Sequence, residues 1–145
     1  MTNNAINHAE FITMPVPAAV NAGVGPITGD PLMFGAASSV GLAGVASNSY
    51  TPPTGTPNTN GIGVQFIGAF FLSVSANDGA SPPSGVAVNP GDKIFASGGT
   101  LDATTGCYYG FVLNTGTGGR YFGNALDAIP SGQTATIRVR LKVTG

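Results

Sequence analysis

Hydrophobic residues recur at every second position along several short stretches of the chain. In Thr134–Val143, Ile137, Val139, Leu141 and Val143 fall on one side and Arg138, Arg140 and Lys142 on the other. Side chains alternate across a strand, so this period of two predicts a strand with one buried face. Ile62, Val64 and Phe66 share a face in the same way. The phase then shifts, Phe70, Leu72 and Val74 share the next face, and a β-bulge is expected near Gly68. Cys107, Tyr109, Phe111 and Leu113 are expected on one face of a further strand. Thr51–Gly61, Asn77–Gly85 and Asn114–Asn124 are rich in Gly, Pro, Asn and Thr and read as long loops. Asn124–Gly132 is the only helix-like piece, at most one or two turns before Pro130. The expected fold is all-β, a small barrel or a two-sheet sandwich.

The pattern also repeats. Ile27–Gly35 (ITGDPLMFG) and Val88–Ala96 (VNPGDKIFA) both place a Gly-Asp step before an apolar run. Gly29-Asp30 matches Gly91-Asp92. In the same order, Gly44-Val45-Ala46 is matched with Gly110-Phe111-Val112, and Gly61–Phe66 with Gly132–Ile137. These matches describe two degenerate repeats, about 11–66 and 71–140, with the two Gly-Asp steps in equivalent turns. At each step the glycine supplies an unusual backbone angle and the aspartate caps the turn through its side chain. A phosphate loop is the other reading of such a step. It needs a longer Gly-x-x-x-x-Gly-Lys pattern running into a helix, whereas here a strand follows and Pro31 stands where Lys93 does.

Composition narrows the function classes. Only 8% of the 145 residues are charged, against a typical ~25%, while Gly (23) and Pro (11) are abundant and 42% are hydrophobic. That is the balance of a folded chain with many turns, and of a surface poor in charge. A net charge of −1 argues against nucleic-acid binding. The single cysteine, Cys107, permits no intrachain disulfide and reads as a small semi-buried residue. No basic leader pattern opens the chain, and no run of about 18 apolar residues predicts a membrane span. Synthesis and use in a cytoplasm, or in a particle assembled there, is expected.

Candidate chemistry is sparse. The acids Asp30, Asp78, Asp92, Asp102 and Asp127 sit in turn-like contexts, and Glu10 and the only histidine, His8, lie in a polar N-terminal stretch. No zinc spacing occurs, and no Gly-x-Ser-x-Gly nucleophile motif. No catalytic residue, cofactor or metal is expected. Arg138, Arg140 and Lys142 form a basic stripe that reads either as a docking surface for an acidic partner or as a solvated strand face whose charge protects an edge.

The ordered motifs Gly29–Leu32, Gly44–Ala46, Gly68–Leu72, Gly91–Phe95 and Ile137–Leu141 resemble the capsid decoration, or cement, proteins of tailed phages, a family long catalogued as a domain of unknown function. The resemblance runs from about Ile12 to Val143, and the three long loops depart from it. It implies a β-rich protein on the outer surface of an icosahedral head, often a homotrimer, which clamps neighbouring major capsid subunits and carries no catalytic residues. The expected location is therefore the virion surface. A carbohydrate- or host-surface-binding β module is the alternative, with Tyr108, Tyr109, Tyr121 and Phe122 as exposed stacking aromatics. An N-terminal arm, Met1–Glu10, precedes a single β domain over residues 11–145. The arm is polar apart from Ile6. Together with Phe11 and Ile12, Ile6 is expected to order against the capsid.

Overall fold

The computed structural model describes residues 12–16, 27–35, 41–47 and 58–142. The Met1–Glu10 arm with Ile6, and also Phe11 and Val143, lie outside the described residues. Nine strands are described: β1 (Ile12–Val16), β2 (Pro31–Phe34), β3 (Leu42–Ala46), β4 (Asn58–Gln65), β5 (Ala69–Ser75), β6 (Lys93–Leu101), β7 (Cys107–Asn114), β8 (Arg120–Ala125) and β9 (Thr134–Leu141). They run in the order β1-β4-β3-β2-β7-β5-β9-β8-β6, and β6 pairs back onto β7. Strands β5, β9, β8, β6 and β7 thereby close into a five-stranded barrel. Every pairing is antiparallel except β5 with β7, which is parallel at Val74–Leu113 and Ser75–Asn114. The all-β expectation is met, and of its two forms the structure takes the barrel, with further strands added.

The two Gly-Asp turns are one structure used twice. Asp30 Oδ2 accepts the Ile27 N–H (2.9 Å) and Asp92 Oδ2 the Asn89 N–H (2.8 Å). In each, the aspartate N–H donates to the carbonyl three residues back, at 3.0 Å. Gly29 (φ 95°) and Gly91 (φ 97°) hold the left-handed conformation that the turn requires. Each glycine N–H then bonds across to the carbonyl of an alanine, Ala46 or Ala125, at 2.8 Å. That alanine's N–H returns to the aspartate carbonyl at 2.9 Å.

From these turns the pairing runs in parallel through both halves. Pro31 and Leu32 oppose Val45 and Gly44; Lys93 and Ile94 oppose Asn124 and Gly123. Ala46 opposes Val64 as Ala125 opposes Val139, and Met14 opposes Ile62 as Leu72 opposes Ile137. Strands β1, β2, β3 and β4 thus occupy the pairing positions of β5, β6, β8 and β9. This corrects the expected alignment beyond the turns: Gly44 answers to Gly123 rather than Gly110, and Val64 to Val139 rather than Ala135. The register decides the point, because a strand is defined by its partners and not by its local Gly content. Among the described residues strand β7 has no counterpart in the first half.

Three local expectations change as well. Cys107, Tyr109, Phe111 and Leu113 do not share one environment. Cys107 and Tyr109 pack with Leu32, Phe34, Ile62 and Val64, whereas Phe111 and Leu113 enter the barrel core with Phe122, Ile94 and Val139. The switch falls at Gly110 (φ 68°), which faces Gly99 (φ 77°) across the β6–β7 ladder, and side-chain parity does not carry through two left-handed residues. Gly68 (φ 123°) lies in the connection between β4 and β5 rather than in a bulge within one strand. Asn124–Gly132 forms no helix. Ile129 exchanges both backbone hydrogen bonds with Val88 at 2.9 Å and is buried by that bridge.

Candidate functional site

The outer wall of β5 and β9 gathers the most unusual surface of the described chain. Alternation buries Ile137, Val139 and Leu141 and turns Arg138 and Arg140 outward, as the sequence pattern predicts. Across the ladder Arg138 opposes Phe71 and Arg140 opposes Ala69. Phe71 is 72% exposed, Ile67 just before the strand 76%, and Val112 on β7 54%. Phe71 and Val112 both line a cleft of about 330 Å³, with Asp30, Pro31 and Ser73, where β2, β5 and β7 diverge. Phe71 follows from the sequence once the doublet Phe70-Phe71 is considered. In an alternating strand two adjacent phenylalanines cannot both face inward, and Phe70 takes the core.

The basic stripe is not a uniform row of free charge. Arg138 forks onto Asp127, with Nη2 to Oδ1 at 2.6 Å and Nε to Oδ2 at 3.1 Å, while its backbone N–H donates to Oδ2 at 2.8 Å. The guanidinium hydrogen bonds, followed by the backbone bond, hold the Asp127 carboxyl down at about 2, and the same pair raises the Arg138 guanidinium. Arg140 has no ion-pair partner among the described residues. Lys142 departs from the expected exposed stripe: it is 8% exposed, and burial lowers its ammonium pKa. It lies one residue beyond the end of β9, tied to β8 by its N–H to the Phe122 carbonyl (2.9 Å), and the alternation of the strand does not extend to it. Ile12 is exposed at the start of β1. Gly29, Asp30, Gly91 and Asp92 serve as turn residues, with every aspartate hydrogen bond described above made within the turn or to the adjoining strand.

The aromatics named for sugar stacking are placed differently from expectation. Phe122 is in the barrel core. Tyr108 is buried between Phe111, stacked at 5.0 Å, and the Arg120 guanidinium, 4.0 Å from its ring centroid, so both faces are taken. Tyr109 packs on the smaller core cluster. Tyr121 leans on Phe95 and donates its hydroxyl to Asn124. Cys107 is fully buried and its thiol is pushed up to about 12 by desolvation, with a smaller contribution from Asp102. Such a thiol is inert. His8 lies outside the described residues.

Among the described residues no group of three or more His, Cys, Asp or Glu side chains is placed to hold a metal ion, and no helix is long and apolar enough to cross a membrane. A wider cleft of about 700 Å³, bordered by Thr13, Val45, Gln65 and Phe70, has no titratable group among its described lining residues. No protein-family model, curated protein or solved structure matches the chain.

Proposed function

We propose that this chain is a structural virion protein that binds the outer surface of an icosahedral phage head and stabilises the lattice of the major capsid protein. The order of its short motifs suggests the phage head. The observation that carries protein attachment is the exposed Phe71, which borders one cleft with Val112 and stands across the β5–β9 ladder from Arg138. Apolar side chains of this size, grouped on the outside of a charge-poor fold, mark a surface that another protein covers. A partner surface with an apolar pocket for Phe71 and a carboxylate for Arg140 fits this wall. Homotrimers would present three such walls, and the second and third contacts then form at high effective concentration, so modest single sites suffice. The reading requires neither nucleic acid nor a lipid bilayer as partner.

The test is binding to undecorated heads by co-sedimentation, together with copy number in purified particles. Wild-type protein should bind at a copy number comparable to that of the major capsid protein, and decorated heads should survive a higher temperature than bare ones. Phe71→Ser, at an exposed position, should keep the fold and lose most of the binding. A copy number of a few tens per particle, or unchanged binding by the variant, would point away from a lattice-wide cement role through this wall.

A further inference from the structure

A second cleft lies on the barrel away from Phe71. It encloses about 300 Å³ and is bordered by Asp78, Ser97, Gly98, Tyr108, Gly118 and Arg120. Two connections build it together: the one between β5 and β6, and the one between β7 and β8, which β8 shortens from the expected Asn114–Asn124 loop to residues 115–119. Asn77 in the first loop accepts both the backbone N–H (3.1 Å) and the hydroxyl (2.8 Å) of Thr115 in the second. Strand β6 supplies the floor, where Ser97 donates its hydroxyl to Asn114 (3.2 Å).

Arg120 and Asp78 both border the cleft and are not paired with each other. The Arg120 guanidinium lies over the Tyr108 ring, which Phe111 supports from behind, so its plane is set and its edge of N–H donors remains for a ligand. The Asp78 carboxylate is pinned through Oδ1 by the Ala80 N–H (3.0 Å) and the Ser84 N–H (2.9 Å). Those bonds favour its ionised form and leave Oδ2 to accept further donors. Among the described residues the one ion pair is Arg138–Asp127, and neither Arg120 nor Asp78 takes part in it.

We infer that this cleft binds a single residue of an acidic saccharide. A planar guanidinium edge matches a sugar carboxylate bidentately. Asp78 then accepts ring hydroxyls, and the Ser97 hydroxyl and the glycine backbone complete a polar wall with no aromatic face open to stack. The volume is at the small end for ligand pockets, which suits one ring rather than a chain. The inference goes beyond attachment to a head and uses none of the residues proposed for it.

The probes are glucuronic acid, its neutral counterpart glucose, and inorganic phosphate, titrated into the full chain with chemical shifts as readout. Glucuronic acid should bind at least tenfold more tightly than either of the others and should move the resonances of Asp78 and Arg120. Arg120→Gln should weaken it tenfold or more. Because Arg120 also covers Tyr108, Gly118→Leu provides a second variant. No atom lies within 4 Å of a Cβ built at Gly118, so the fold accepts the side chain while the cleft narrows. This variant should lose binding with an unchanged melting temperature. Equal binding of glucose, equal binding of phosphate, no binding of glucuronic acid, or wild-type affinity in both variants would each overturn the inference.

Discussion

The two halves of the molecule share a pairing scheme and differ in closure. Strands β5, β9, β8 and β6 run in the same order as β1, β4, β3 and β2 and share their register beside the Gly-Asp turns, but the register shifts between Met14 and Val16 in the first set and between Ile94 and Phe95 in the second. Among the described residues only the second set closes, because β7 bonds to β6 along its length and to β5 at its end. The same strand also touches the first set, opposing Met33 and Phe34 with Tyr108 and Cys107. Strand β7 therefore serves two cores, and Gly110 is where it passes from one to the other. The two sets thus share a pairing pattern, and β7 lies between them. Closure satisfies the edges of a sheet, so the barrel should be the more resistant of the two units.

The largest expected effect tests that ranking. Phe122 is fully buried in the barrel, and Phe122→Ala should cost about 3–5 kcal/mol in denaturant unfolding. Phe34 is buried in the smaller cluster with Cys107. Phe34→Ala should lower the global midpoint less and instead speed exchange of β2–β4 amides and labelling of the Cys107 thiol, which the folded cluster protects. Equal losses in one transition would show that both halves unfold as a single unit.

The shared strand comes next. A Cβ at Gly99 would lie 2.7 Å from the Tyr109 carbonyl oxygen, whereas one at Gly110 meets nothing within 4 Å. Both positions have positive φ. Gly110→Ala should therefore cost roughly 1–2 kcal/mol from backbone strain alone, and Gly99→Ala more than that. Equal costs would mean that the clash is relieved by movement of β6.

How far the sequence reveals this architecture depends on how local each signal is. The alternation in Thr134–Leu141 and the paired Gly-Asp turns are local, and both are legible. The equivalence of Gly44 with Gly123 is not, because β7 intervenes and only hydrogen-bonding partners reveal the match. The face switch within Cys107–Leu113 was hidden for a related reason: glycine inside a strand leaves its φ open, and the alternation rule presumes extended backbone throughout. The Arg120–Asp78 cleft joins residues far apart in sequence, each of which reads alone as a loop or strand-end residue. Phe71 is legible in the doublet with Phe70, because an alternating strand turns one of two adjacent phenylalanines outward.

The paired turns give a smaller and more symmetrical test. Each aspartate caps its turn through one side-chain bond to the N–H three residues back, at 2.9 Å for Asp30 and 2.8 Å for Asp92. Loss of such a cap costs about 0.5–2 kcal/mol. Asp30→Ala and Asp92→Ala should each fall in that range if the turns are interchangeable. A large cost at Asp92 with none at Asp30 would show that the first turn is held by its surroundings rather than by its cap.

The smallest effect separates the outer faces of the two halves. Arg138 and Arg140 on β9 stand where β4 has Gly63 and Gln65, so the ion pair with Asp127 belongs to the second half alone. Both partners are solvent-accessible, and an exposed pair contributes little at neutral pH in salt. Its signature is instead a pH dependence. The Asp127 carboxyl titrates at about 2 in the folded protein, below its ordinary value of 3.8. A depressed folded pKa means that the unfolded chain takes up the proton first. The contribution is therefore complete above 3.8 and disappears as pH falls through about 2. Asp127→Asn should lower the melting temperature slightly at pH 7 and flatten its decline between those two values by a comparably small amount. Some decline should remain, because the backbone bonds from Ser84 and Ala80 depress Asp78 in the same direction. Identical acid profiles for wild type and Asp127→Asn would show that the forked geometry does not persist in solution. Arg138 would then join Arg140 as a free cation on the wall that carries Phe71.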